Sequence, residues 1–95
     1  MQQSSRADAA MSELKALALP TAPQPGTADF ERRFAKVTTH LRCAPISGTC
    51  DENRELMLAY QRLALSGRGD QSNWPVLLRL RRAWWASSPA AALAN

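Results

Sequence analysis

Three blocks of large apolar residues, each at helical spacing and each ended by helix-breaking residues, leave this chain little but a small all-α fold. In the first block Phe30, Phe34, Val37 and Leu41 follow at intervals of four, three and four, which places them on one helical face. Glu31, Arg32, Arg33 and Lys36 take much of the remaining surface, and Thr27 or Asp29 can cap the start. Pro45 and Gly48 then suit a loop. In the second block Leu56, Tyr60 and Leu63 mark one face, widened by Met57, Leu58 and Leu65. Its start falls at Thr49 or Asp51, with Glu52 in the first turn, where an acid complements the helix dipole. Gly67 is a natural terminator. The third block opens at residues 72–75 with a polar cap and Pro75 in the first turn. There Leu77, Leu80 and Trp84 share a face, Leu78 and Trp85 share a neighbouring one, and Ser88-Pro89 closes the helix.

The expected architecture is an antiparallel three-helix bundle over residues 29–88, with a short tail at 89–95. Residues 1–28 read as a flexible tail and linker. Within them Met11, Leu14 and Leu17 allow one short helix capped by Ser12 and stopped before Pro20, and Pro20, Pro23, Pro25 and Gly26 predict an extended connection. Most large apolar residues lie after position 29, so the core draws on roughly 65 residues, a size of marginal stability. A ligand or partner subunit that binds only the folded state would reinforce it.

A chain that is 45% hydrophobic and 21% charged belongs with globular rather than disordered proteins. The net charge of +4 points toward an acidic or phosphate-bearing partner, and residues 71–95 contain no acid while Arg79, Arg81 and Arg82 stand close together. A solvated basic face is the plainer account of the same run. No apolar run approaches the ~18 residues needed to cross a bilayer. The first residues, Met-Gln-Gln-Ser-Ser-Arg-Ala-Asp, lack the basic-then-apolar order of a secretory signal, so a cytoplasmic location is expected.

Little in the sequence predicts catalysis, and no enzyme is expected. The one histidine, His40, flanks the apolar face of the first block without an evident nucleophile and orienting group. No paired carboxylates sit among apolar residues, and no Gly-rich phosphate loop occurs in a strand–loop–helix context. His40, Cys43 and Cys50 form an H-x2-C-x6-C pattern with Asp51 nearby, but structural zinc sites favour tighter cysteine pairs, so neither metal nor cofactor is expected. A Cys43–Cys50 disulfide is open geometrically, while free thiols are the expectation in a reducing compartment.

Trp74, Trp84 and Trp85 stand within twelve residues. Positions 84 and 85 point about 100° apart on a helix, so both enter one core only if it is wide. Core packing explains one or two of the three; another is expected to line a groove or interface, where an indole can stack on a base and arginines can bind phosphate.

These residues, taken in order, resemble the acyl-CoA-binding protein family. Phe30-Glu31 with Ala35 and Val37 is similar to the family's opening helix. Leu56, Met57 and Tyr60, followed by Gly69-Asp70, are similar to its second helix and the Gly-Asp beyond it. Pro75 and Arg82-Ala83-Trp84-Trp85 are similar to its proline and the basic-Ala-Lys-aromatic run. The likeness covers about residues 29–86, ungapped from Leu56 to Asp70, with a one-residue deletion between Pro75 and Arg82. It implies a helical module that holds the CoA thioester of a fatty acid or a related phosphate-bearing amphipathic ligand. Tyr60 matches the aromatic residue that meets the nucleotide, whereas the two phosphate-binding lysines fall on Ala64 and Trp84. Arg79, Arg81 or Arg82 would have to supply the phosphate contacts instead. The implied site is therefore Tyr60, Arg79, Arg82, Trp84 and Trp85. The sequence reads as lacking the family's fourth helix, which would expose the apolar faces of the first two helices unless the N-terminal segment or a second copy covers them. Two further readings stand beside this one. Basic helix 3 with the helix before it resembles a helix-turn-helix pair for nucleic acid, and the uncovered apolar surface suits a module completed by a partner protein or by homodimerisation.

Overall fold

The computed structural model describes residues 6–43, 45–65 and 73–88. They form four helices, α1 (Arg6–Leu17), α2 (Ala28–Cys43), α3 (Cys50–Ala64) and α4 (Trp74–Ala86), with no strand among the described residues. The fold is all-α as expected, but it has four helices where three were expected. The additional one is α1. It begins well before Ser12, and Ala10, Leu14 and Leu17 recur at helical spacing and are buried.

Local chemistry explains the starts and stops. At α2 the choice between Thr27 and Asp29 falls to Thr27, whose Oγ1 accepts from the Phe30 amide at 3.3 Å. The preceding Gly26 has φ +95°, a left-handed conformation that glycine adopts freely, and its amide donates to Glu31 Oε2 at 3.2 Å. The proline-containing connection is turned rather than extended, with Ala22 N donating to Leu19 O and Thr27 N to Gln24 O. At α3 Thr49 is the cap in a capping box: the Glu52 amide donates to Thr49 Oγ1 at 3.1 Å, and the Thr49 amide donates to Glu52 Oε1 at 2.8 Å. A Cβ at Gly48, just before it, would lie 2.8 Å from Glu52 Oε1, so a larger residue there would push aside the carboxylate that closes the box. At α4 Asn73 occupies the cap position without a side-chain capping bond, and Pro75 sits in the first turn. The expected terminator Gly67, the Gly69-Asp70 pair, Ser72 and the 89–95 tail lie outside the described residues.

The helix backbones approach closely in the pairs α3 with α4, α1 with α2, α1 with α3, and α2 with α4. The bundle is therefore a ring in the order α1, α2, α4, α3, with α2 and α3 diagonal to one another although consecutive in the chain. Side chains bridge that diagonal. The rings of Phe30 and Phe34 stack at 5.6 Å, and Phe34 stacks on Tyr60 at 5.0 Å, giving a column of three aromatics through the middle. Around it Leu14, Leu41, Val76 and Leu80 are fully buried. The start of α3 meets the end of α4: the Asn53 amide donates to Ala83 O at 3.4 Å and Ser87 Oγ at 3.2 Å, so these two helices run antiparallel. The apolar faces of α2 and α3 are covered from within the chain, by its N-terminal helix.

Candidate functional site

The residues singled out for binding divide sharply in space. Tyr60 is 0% exposed. Its ring packs on Phe34 and its hydroxyl pairs with Thr38 Oγ1 at 2.8 Å, the two side chains satisfying each other inside the bundle. It belongs to the core and offers no surface to a ligand. Arg79 is half-buried, and its Nη1 donates to the Leu41 carbonyl at 2.7 Å. That carbonyl is in the last turn of α2, where unsatisfied acceptors and the negative end of the helix dipole attract a cation. Arg79 thus serves as an interhelical cap. Of the residues expected in a ligand site, these two stand apart from Arg82, Trp84 and Trp85: α3 turns Tyr60 toward the aromatic column, and α4 turns Arg79 toward α2.

Arg82, Trp84 and Trp85 do come together. With Leu78 and Arg81 they line a surface depression of about 430 Å³. Trp84 leans inward and packs against the core, whereas Trp85 is 60% exposed. The 100° step between successive helical positions separates them, one indole on the core and the other outside.

On the outer side of α4 a second apolar stripe appears. Trp74 and Leu78, each 44% exposed, join Trp85 there. At 100° per residue these three project within an arc of about 40°, with Arg81 and Arg82 just beyond its edges. Among the described residues neither arginine pairs with a carboxylate. Trp74 and Leu78 stood outside the expected ligand site, and Arg81 was expected only as one of three alternative phosphate contacts. The spacing 74, 78, 81 and 85 carries the stripe, but it overlaps a second stripe at 76, 77, 80 and 84, so the two are hard to separate before the buried face is known.

The remaining titratable groups are differently employed. Arg33 Nε donates to Glu13 Oε2 at 2.8 Å, tying α1 to α2. This hydrogen bond raises the already high pKa of the Arg33 guanidinium, which stays charged at every working pH. Arg32 pairs with Asp29 on the surface of α2. His40 is exposed beside a depression of about 340 Å³ between α1 and α2, which no serine or cysteine among the described residues lines. Cys43 is exposed and Cys50 half-buried, both as free thiols. No group of three or more His, Cys, Asp or Glu among the described residues is placed to hold a metal ion. A larger depression, about 560 Å³, lies between α1 and α3, where Lys15, Arg54 and Arg62 mix with Asp51, Glu52 and Glu55. With both signs interleaved it selects no ligand charge. Among the described residues no helix is long and apolar enough to cross a membrane.

No family model, no curated protein and no solved structure matches this chain.

Proposed function

We propose that this chain is a non-catalytic binding module that offers the outer face of α4 to an amphipathic, negatively charged partner. The observation that carries this reading is the exposure of Trp74, Leu78 and Trp85 along one arc with Arg81 and Arg82 at its margins. Large apolar side chains grouped on a surface mark a contact site more often than isolated ones do. A small anion without an apolar part would engage the guanidinium groups and leave the indoles in water. An uncharged hydrophobe would cover the indoles and strand the guanidinium groups. Only a partner with both characters complements the face.

A long-chain acyl-CoA is the second reading, and the specific observation favouring it is that Arg82, Trp84 and Trp85 line the same depression. In that reading the nucleotide aromatic is a tryptophan of α4, because Tyr60 is committed to the core.

Tryptophan emission tests the proposal, since two of the three indoles are on the face. Titration with a long-chain acyl-CoA or with vesicles containing phosphatidylserine should shift the emission to the blue. Free CoA and a short DNA duplex should leave it nearly unchanged. Saturable binding of the duplex alone would replace this reading with the nucleic-acid one.

A further inference from the structure

The outer face of α4 is a ridge. Among the described residues, those lining its depression, Leu78, Arg81, Arg82, Trp84 and Trp85, all come from α4 itself, so no second described element walls in a small ligand. The stripe from Trp74 to Trp85 runs about 16 Å along the helix, at 1.5 Å per residue. A partner that covers it must therefore be broad and shallow. It must also be negative: α4 contains arginines at 79, 81 and 82 and no acid. A second copy of the chain is a poor fit, because two such faces brought together would oppose arginine with arginine.

Resting on the proposed reading, we infer that the outer face of α4 seats on the surface of an anionic lipid bilayer. The helix lies along the interface, with Trp74, Leu78 and Trp85 at the boundary between headgroups and acyl chains. Tryptophan suits that depth because its ring is apolar while its N–H still requires an acceptor. Arg81 and Arg82 flank the stripe and extend their stems along it, so that their guanidinium groups reach lipid phosphates on both sides. A protein partner would have to place acidic groups at both margins and an acceptor for each indole in one groove. A headgroup layer supplies all of these continuously.

The test is cosedimentation of the full chain with phosphatidylcholine vesicles, with and without phosphatidylserine, at low and at physiological salt. The wild-type chain should partition onto the anionic vesicles, weaken as salt rises and ignore the zwitterionic ones. The double variant Arg81→Gln/Arg82→Gln should partition roughly 30-fold less well, the loss expected for two surface-held cations. Trp74→Ser/Trp85→Ser should abolish partitioning. All four positions are exposed, and circular dichroism of each variant verifies that the helices are retained. Failure to partition onto anionic vesicles at low salt overturns the inference, as does partitioning that both double variants preserve. Should a long-chain acyl-CoA or an acidic amphipathic peptide bind saturably through Trp85 while vesicles do not, the lipid surface is ruled out and the amphipathic-anion reading survives. If none of these probes binds, both readings fall.

Discussion

Asn53 is 4% exposed, and its amide donates to Gly48 O at 3.2 Å as well as to Ala83 O and Ser87 Oγ at the end of α4. One side chain thereby joins the loop before α3, the first turn of α3 and the last turn of α4. Removing it takes the donor from three part-buried acceptors at once, although Ala83 O keeps the Ser87 amide and hydroxyl, and an acceptor left unsatisfied costs more than the net value of the bond itself. Asn53→Ala should lower the unfolding free energy by about 1–3 kcal/mol in urea denaturation. The Thr38–Tyr60 hydroxyl pair makes a cleaner test of the same asymmetry. Tyr60→Phe and Thr38→Val should each lose about 1 kcal/mol, because each removes the buried hydroxyl–hydroxyl hydrogen bond. The double variant should lose distinctly less than the sum, and a double-mutant cycle measures the difference. If the singles are neutral and additive, the buried pair contributes nothing. Neither hydroxyl partner is legible in the sequence, since Tyr60 reads equally well as a core residue or as a ligand contact until the helix opposite is known.

Among the helices, legibility followed the size of the apolar residues. The aromatic and leucine-rich stripes of α2, α3 and α4 declare themselves because phenylalanine, tyrosine and leucine at 3.6-residue spacing have few alternatives. In α1 the buried stripe is Ala10, Leu14 and Leu17, and alanine carries little weight in a periodicity even where it is buried. Its burial is a property of α2 and α3, which cover it, more than of its own residues. The arginines of α4 show the same dependence on context. Arg79, Arg81 and Arg82 are one basic run in the sequence, yet only Arg79 is engaged by another helix. Arg79→Gln should destabilise the fold by about 1.5–3 kcal/mol, the value of a hydrogen bond to a charged donor, whereas Arg82→Gln should fall within about 0.5 kcal/mol of wild type. Equal thermal shifts for the two variants would contradict the capping role assigned to Arg79. The Glu13–Arg33 bridge is partly open to solvent, so Glu13→Gln should change stability only slightly, and less at high salt.

For the bundle as a whole, α1 decides whether the interior is closed. Leu14 is 1% exposed, and Leu14→Ala should lose about 2–5 kcal/mol, a large share of what a domain of this size possesses. A chain lacking residues 1–17 should bind a hydrophobic dye and unfold without a cooperative transition, because the faces of α2 and α3 would then meet water. A sharp thermal transition in the truncated chain would mean that the other three helices suffice. The ring order α1, α2, α4, α3 also has a consequence for how the protein comes into being. Among the described helices α1 touches only the two that follow it, and α4 must wedge between α2 and α3. Until the Asn53 fastening meets Ser87, a nascent chain is a three-sided trough rather than a closed barrel of helices. Closure of the interior therefore waits on α4, and apolar surface open to aggregation or to a chaperone persists until that helix docks.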